Sequence, residues 1–116
     1  MTALVPIPIN RTGADLTAGL VAATAADTFP AGYQNMLRVK NGNASACIPT
    51  VTPPTGGGPA GTTVAPLALT SVPATTGDRM FGPFPANPFA DANGNVNVSY
   101  SVTPTVTVGV YQLSTS

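Results

Sequence analysis

Alternating apolar and polar positions dominate the last third of the chain. Residues 95–102 place an apolar side chain at every second position, and residues 105–110 do the same. A period of two is typical of strands with one buried face. Only Thr103-Pro104 separates the two segments, which leaves room for nothing longer than a tight turn. The pattern predicts an antiparallel hairpin whose core residues include Val96, Val98, Val106 and Val108.

A second hairpin is predicted in the middle of the chain. Residues 35–40 alternate Leu37 and Val39 with basic residues, and Asn41-Gly42 follows as a strong hairpin-turn signal. Residues 44–52, with Cys47 among their apolar positions, are the expected partner strand. We expect Cys47 to be a buried small apolar residue, since free cysteines are among the most buried residue types.

Turn-forming and proline-rich segments separate these strands. Residues 27–32 and 91–95 predict turns, residues 20–24 fit either a strand or one helical turn, and residues 64–72 predict another strand. The Pro/Gly-rich residues 53–63 predict a long exposed loop. Residues 79–89 contain three of the four phenylalanines, and their prolines disfavour a helix. We expect this segment to close the core.

The fold class follows from the strands together with the composition. Glutamate is absent, and threonine, valine, alanine, proline and glycine dominate, which favours strands joined by short turns. We predict an all-β protein, an antiparallel β-sandwich with jelly-roll-like or Ig-like topology and about seven or eight short strands. Residues 13–116 would form this single domain, and residues 1–12 an extended N-terminal arm.

The arm carries a pattern of its own. Residues 4–9 are apolar, but Pro6 and Pro8 lack the N–H group that a central strand must donate. Two alternatives remain for this segment. It is either an edge strand on the chain's own sheet, or an arm that docks on a neighbouring subunit or on another surface.

Charge narrows the classes of partner. The chain has four basic and four acidic residues and a net charge of zero. Binding to nucleic acid or to an anionic membrane needs clustered basic residues, so neither partner is expected. Scarce surface charge gives little protection against self-association, which suggests an assembled protein. The sequence shows no signal peptide and no apolar run of about 18 residues, so we expect neither secretion nor a membrane span.

Catalytic chemistry has few candidates. Histidine is absent, and Cys47 therefore lacks the usual activating base. The four aspartates, at positions 15, 27, 78 and 91, all stand in turn-like contexts, and we interpret them as turn-stabilising. Residues 91–95 do not match a calcium loop, because the glycine is misplaced and no glutamate follows. We predict no enzyme activity, no catalytic residue, no cofactor and no metal site.

Three segments carry a resemblance to a known class of protein: MLRVKNG at 36–42, VPATTGDRMFGPF at 72–84 and DANGNVNVSYS at 91–101, followed by a closing Val-Thr-Val strand. Over about residues 33–113 the chain resembles the capsid decoration, or minor capsid, proteins of tailed bacteriophages. The resemblance implies a β-sandwich that binds the outside of the assembled capsid and stabilises it. It also implies the major capsid protein as partner, and a location on the capsid exterior after synthesis in the host cytoplasm.

Physical features of the chain suggest how such a protein would attach. The apolar arm and the neutral surface suggest a homo-oligomer, and we expect a trimer because capsids offer many local three-fold sites. The interface candidates are the apolar residues of the arm and of the phenylalanine-rich segment: Leu4, Val5, Ile7, Ile9, Phe81, Phe84 and Phe89.

Two other functions stay open. One is a different virion component, such as a tail, neck or host-binding module, because sandwich domains serve many roles. The other is a carbohydrate-binding module. The chain has no tryptophan and only three tyrosines, whereas sugar-binding sites usually present exposed aromatic faces.

Overall fold

Two β-sheets packed face to face make up the protein. The computed structural model describes residues 2–9, 13, 20–56 and 59–113. Within these residues lie ten strands, a 3-10 turn at Pro59–Gly61 and a four-residue helical turn, α1. The strands are β1 (Thr2–Ala3), β2 (Pro6–Ile9), β3 (Val21–Ala22), β4 (Ala26–Pro30), β5 (Asn35–Asn41), β6 (Pro49–Val51), β7 (Leu67–Ala68), β8 (Gly77–Phe81), β9 (Asn95–Tyr100) and β10 (Val106–Leu113), and α1 is Ala86–Phe89.

Each sheet draws its strands from distant parts of the chain. The first sheet has the order β1-β4-β9-β6-β7, and the second has the order β2-β10-β5-β8, with β3 also paired to β10. The all-β, two-sheet sandwich predicted from the sequence is confirmed. Most pairs are antiparallel, as expected, but β1 with β4 and β2 with β10 are parallel.

The strand order also decides between the two predicted topologies. Strands β3 to β10 form two antiparallel sets, β3-β10-β5-β8 and β4-β9-β6-β7. Successive strands alternate between the sheets, except for β6 and β7, which are neighbours. This is the arrangement of a jelly roll. In an Ig fold the first two strands would be neighbours in one sheet, and here they are not.

Neither predicted hairpin forms. Strands β9 and β10 belong to opposite sheets, and so do β5 and β6. The predicted core residues Val96, Val98, Val106 and Val108 are nevertheless all buried in one cluster. Both sheets bury the face that looks toward the other sheet, so strands that face each other across the core have the same alternation as strands paired side by side.

Asn41 redirects the chain where the second hairpin was expected. Its side chain is buried, and Nδ2 donates to the carbonyl of Ser45 at 2.9 Å and to that of Val72 at 3.2 Å. Its Oδ1 accepts a hydrogen bond from the amide of Asn43 at 2.9 Å. Further along, Cys47 pairs with Val72 through a β-bridge and is fully buried, as expected. The Asn-Gly signal marks a crossover between sheets rather than a hairpin turn.

The hairpin that does form spans the Pro/Gly-rich loop. Strands β6 and β7 pair across residues 53–63. Pro53 is buried, whereas the described residues 55, 56 and 60–63 are exposed, and residues 57–58 lie outside the described part. The loop is therefore exposed at residues 55, 56 and 60–63, while Pro53 is buried and Pro54 is half-buried.

Several smaller predictions need correction. Residues 27–32 were expected to form a turn, but β4 covers most of them and Phe29 is buried in the core. Asp27 and Asp78 lie in strands β4 and β8 rather than in turns, and Asp15 lies outside the described residues. The turn-forming composition of these positions was outweighed by burial and strand pairing, which depend on the whole fold.

Candidate binding surfaces

The N-terminal segment bridges the edges of both sheets. Strand β1 runs parallel to β4, and the amide of Leu4 donates to the carbonyl of Thr28 at 2.7 Å. Strand β2 then runs parallel to β10 in the other sheet. The side chain of Leu4 is buried between them and belongs to the core cluster. Of the two alternatives for this segment, the structure shows the edge strand on the chain's own sheets.

The proline spacing suits this position. Pro6 and Pro8 are two residues apart, so their nitrogens fall on the same side of the strand. An edge strand leaves one side without a ladder partner, and a missing N–H group costs little there. The two prolines therefore permit pairing with β10 and discourage another strand from pairing outside β2.

An apolar groove of about 330 Å³ lies along this segment. It is lined by residues 3–8 together with Val21 and Gly109, and none of these residues is charged. Val5 is 79 % exposed, and Val21 is also exposed. We call this surface the arm groove. A large exposed apolar side chain beside an uncharged groove is typical of surfaces that contact other proteins.

The predicted interface residues separate into two groups. In the N-terminal segment, Val5 is exposed, Ile7 and Ile9 are half-buried, and Leu4 is buried. The three phenylalanines lie elsewhere. Phe84 is buried, and its ring makes edge contacts with Phe29 at 5.9 Å and with Phe89 at 5.5 Å between centroids.

This placement gives the phenylalanines a packing role. Phe81 and Phe89 are half-buried and pack against the core cluster. The segment closes the core, as predicted, and Leu4 and Phe84 are core residues of this chain rather than surface residues. Val5 is the interface candidate with the most accessible side chain.

A second surface was not anticipated from the sequence. The turn between β4 and β5 forms a pocket of about 360 Å³ with the end of β10. Its lining residues are Ala31, Gly32, Tyr33, Gln34, Asn35 and Gln112. Tyr33 is 77 % exposed, and no charged side chain lines the pocket. We call it the turn pocket. The sequence feature that could have indicated this pocket is Tyr33, an aromatic residue between Gly32 and Gln34 in the short link from β4 to β5.

The backbone holds this turn from several directions. The amide of Ala31 donates to the carbonyl of Gly94 at 3.0 Å, and that of Gly32 donates to the carbonyl of Phe84 at 2.9 Å. The carbonyl of Gln34 accepts from the amide of Leu113 at 2.9 Å. The turn is therefore fixed to three separate segments, which gives Tyr33 a rigid base.

Asn35 closes the turn from inside. It is 6 % exposed, and its Nδ2 donates to the carbonyl of Pro30 at 3.0 Å. Its Oδ1 has no hydrogen-bond partner among the described residues. A buried acceptor without a donor is uncommon in folded proteins and costs about 1–3 kcal/mol.

Two charged residues on the second sheet, Arg38 and Asp78, pair with each other. Arg38 donates to both carboxylate oxygens of Asp78, at 2.9 and 2.6 Å, and also to the hydroxyl of Tyr111. The hydrogen bond from Arg38 lowers the pKa of the Asp78 carboxyl, and the bond to Asp78 raises the pKa of Arg38. The two hydrogen bonds between Arg38 and Asp78 link β5 to β8, so we assign this ion pair a structural role.

Buried polar groups lie at the end of the core near Cys47. Asp27 is fully buried, and its carboxylate accepts from the hydroxyl and the amide of Thr24. Burial, followed by the nearby charge of Asp27, raises the pKa of Tyr100. The Tyr100 hydroxyl has no partner within hydrogen-bonding geometry in the described part, so we attribute this shift to burial and charge alone. Burial also raises the pKa of the Cys47 thiol, which keeps it protonated and unreactive.

Asp91 has the turn-stabilising role predicted for it. Its Oδ1 accepts from the amides of Asn93 at 2.8 Å and Asn95 at 3.1 Å, and its Oδ2 accepts from Nδ2 of Asn97 at 3.2 Å. These bonds lower the pKa of Asp91, and the bond from the Asn95 amide has the largest effect on it. Among the described residues, no three Asp, Glu, His or Cys side chains group together as metal ligands would.

Comparisons with known proteins did not find a related family, sequence or structure. The chain matches no protein-family model, no curated protein sequence and no solved structure. Within the described ranges, no helix has the length and apolar character needed to cross a membrane.

Proposed function

We propose that the protein is a structural virion component, a decoration protein that binds the outer surface of a tailed-phage capsid and stabilises it. The arm groove is the observation that carries this proposal. It places the exposed Val5 beside uncharged apolar lining at the edge of a rigid sandwich. Apolar surfaces of this kind stabilise protein–protein contacts when they are removed from water.

Fold and composition support the same role. Jelly rolls occur in viral capsid proteins, although they also occur in lectins and cupins, so the fold alone does not assign the function. The chain carries only eight charged residues and has no net charge. Broad neutral faces allow close packing on a lattice of identical subunits. The sequence segments that resemble decoration proteins add a further, independent reason.

The major capsid protein is the proposed partner, and a homotrimer is the proposed oligomer. A specific trimer contact should bury at least about 1,000 Å² in total. The arm groove is the proposed contact surface, but Leu4 is part of the chain's own core. Removing the whole segment would therefore damage the fold as well as attachment, and single exposed positions give the sharper test.

The test compares two exposed apolar positions for binding to capsids that lack the protein. Val5→Asp should reduce attachment by more than about tenfold, because it places an unpaired charge in the contact. Leu67→Asp is the matched control, since Leu67 is 44 % exposed at the β6–β7 hairpin and lies outside the groove. Co-sedimentation with capsids measures both variants. Equal binding of the two variants would contradict the arm groove as the contact.

The number of copies per particle separates this role from other virion roles. A decoration protein should be present in hundreds of copies, whereas a tail or neck component would be present in a handful. An image reconstruction of the native particle also tests the trimer, and isolated single copies on the shell would contradict it.

A further inference from the structure

The turn pocket offers a different chemistry from the arm groove. Its side-chain polar groups are amides from Gln34, Asn35 and Gln112, and its most accessible side chain is the ring of Tyr33. Each amide can both donate and accept hydrogen bonds. No arginine, lysine or aspartate lines the pocket, so a charged ligand would find no side chain of opposite charge in it.

These groups match one class of ligand. A saccharide ring is uncharged, carries hydroxyl groups that both donate and accept, and has an apolar face of C–H groups. Tyrosine stacks against such a face at small cost in side-chain entropy, and amides bind the hydroxyls around its edge. We propose that the turn pocket is a binding site for a neutral saccharide, with Tyr33 as the stacking platform and Gln34 and Gln112 as hydroxyl ligands.

The size of the pocket limits the ligand. Its volume of about 360 Å³ is close to the lower limit of ligand-binding pockets, about 300 Å³. A pocket of this size can hold about one or two sugar rings, so the site would bind the terminal residues of a glycan rather than a long segment of it.

Asn35 forms the inner wall of the pocket. The residue is more than nine-tenths buried, and its Oδ1 is enclosed and accepts no hydrogen bond in the described part of the chain. The Nδ2 group is already committed to the carbonyl of Pro30. Oδ1 is enclosed by the protein and Nδ2 is bonded to Pro30, so Asn35 shapes the pocket, and the side-chain amides left to bind ligand hydroxyls are those of Gln34 and Gln112.

The position of the turn favours binding without rearrangement. Ala31, Gly32 and Gln34 are held by backbone hydrogen bonds to Gly94, Phe84 and Leu113, the last of these at the end of β10 next to Gln112. A rigid base reduces the entropy lost when a ligand binds. The proposal does not depend on attachment to a capsid, because the pocket residues are distinct from those of the arm groove.

Titration of the isotope-labelled protein with defined sugars, followed by NMR, tests the site. The probes are glucose, galactose, mannose and N-acetylglucosamine, with lactose, maltose and diacetylchitobiose as disaccharides and sialyllactose as an anionic comparator. At least one neutral probe should shift the backbone amides of residues 33–35 and the side-chain amide of Gln112. The absence of shifts with every neutral probe, or a preference for sialyllactose, would overturn the proposal.

Variants then test the role of the ring. Tyr33→Ala should weaken binding of the active probe by more than about tenfold, and Tyr33→Phe should retain most of it because the stacking face remains. Gln112→Ala should weaken binding less than Tyr33→Ala. Leu67→Ala, an exposed change outside the pocket, is the control for nonspecific effects and should leave the affinity unchanged. Unchanged affinity in Tyr33→Ala, with a wild-type circular dichroism spectrum, would refute the assignment of the ring.

Discussion

The arm groove and the turn pocket belong to the same sandwich but differ in chemical character and in their position in the fold. The groove is apolar and lies along an N-terminal segment that is added to the edges of both sheets. The pocket is polar and is formed by the turn that joins two jelly-roll strands, β4 and β5. Backbone hydrogen bonds connect this turn to three other segments. A broad apolar edge suits a protein partner, whereas a small amide-lined pocket suits a small uncharged ligand.

The two surfaces also depend on the core in different ways. The groove is anchored by Leu4, which inserts into the core where the segment passes from one sheet to the other. The pocket is anchored through Phe84, whose backbone pairs with Gly32 and whose ring packs between Phe29 and Phe89. Each surface should therefore be separable from the other by changing its own anchor.

The largest effect is expected from the anchor of the turn pocket. Phe84→Ala removes a buried ring from between two others and should lower the free energy of unfolding by about 3–5 kcal/mol. Denaturant unfolding measures the loss, and NMR shifts should concentrate at residues 32–35. Phe81→Ala, at a half-buried position, is the control and should cost less. A loss below about 1 kcal/mol for Phe84→Ala would mean that the ring does not anchor the turn.

The anchor of the arm groove gives the next largest effect. Leu4→Ala should lower the free energy of unfolding by about 2–5 kcal/mol, because it leaves a cavity in the core. Its neighbour Val5 is exposed, and Val5→Ala should change stability by no more than about 0.5 kcal/mol. Thermal or denaturant unfolding of the two variants provides the comparison. Similar stabilities would show that the N-terminal segment does not contribute to the core.

Acid should affect the turn pocket before the arm groove. The pKa of Asp91 is lowered in the fold, so its stabilisation is complete above the unfolded value of about 3.9 and is lost as pH falls through the folded pKa. Asp91 holds residues 91–95, whose Gly94 carbonyl accepts from Ala31. We expect NMR signals of residues 31–35 to shift below about pH 4 while those of residues 4–8 stay unchanged.

Two variants identify the group responsible for this acid response. Asp91→Asn should remove the pH-dependent shift at residues 31–35. Asp78→Asn removes another carboxyl whose pKa is lowered, but in the pair with Arg38, and should leave the shift at residues 31–35 in place. A shift that persists in Asp91→Asn would assign the response to a different group.

Local sequence patterns identified several features correctly. The alternation in residues 95–102 and 105–110 identified the buried valines, and the single cysteine was expected to be buried. The prolines at 6 and 8 excluded a central strand and left an edge strand or a docking arm as the alternatives, and Asp91 was expected to stabilise a turn. Each of these features is local, because it depends on a residue and its near neighbours in the sequence. The alternation of side chains, the missing N–H groups of proline and the short-range hydrogen bonds are all of this kind.

The tertiary structure alone decided which strands are neighbours and where the surfaces lie. The sequence determined that β9 and β10 bury their valines, but a period of two is the same in either sheet, so it cannot show that the strands face each other across the core. Leu4 became a core residue because its segment crosses between the sheets. The turn pocket arose because β10 ends beside the β4–β5 turn, a proximity of residues almost eighty positions apart that only long-range pairing creates.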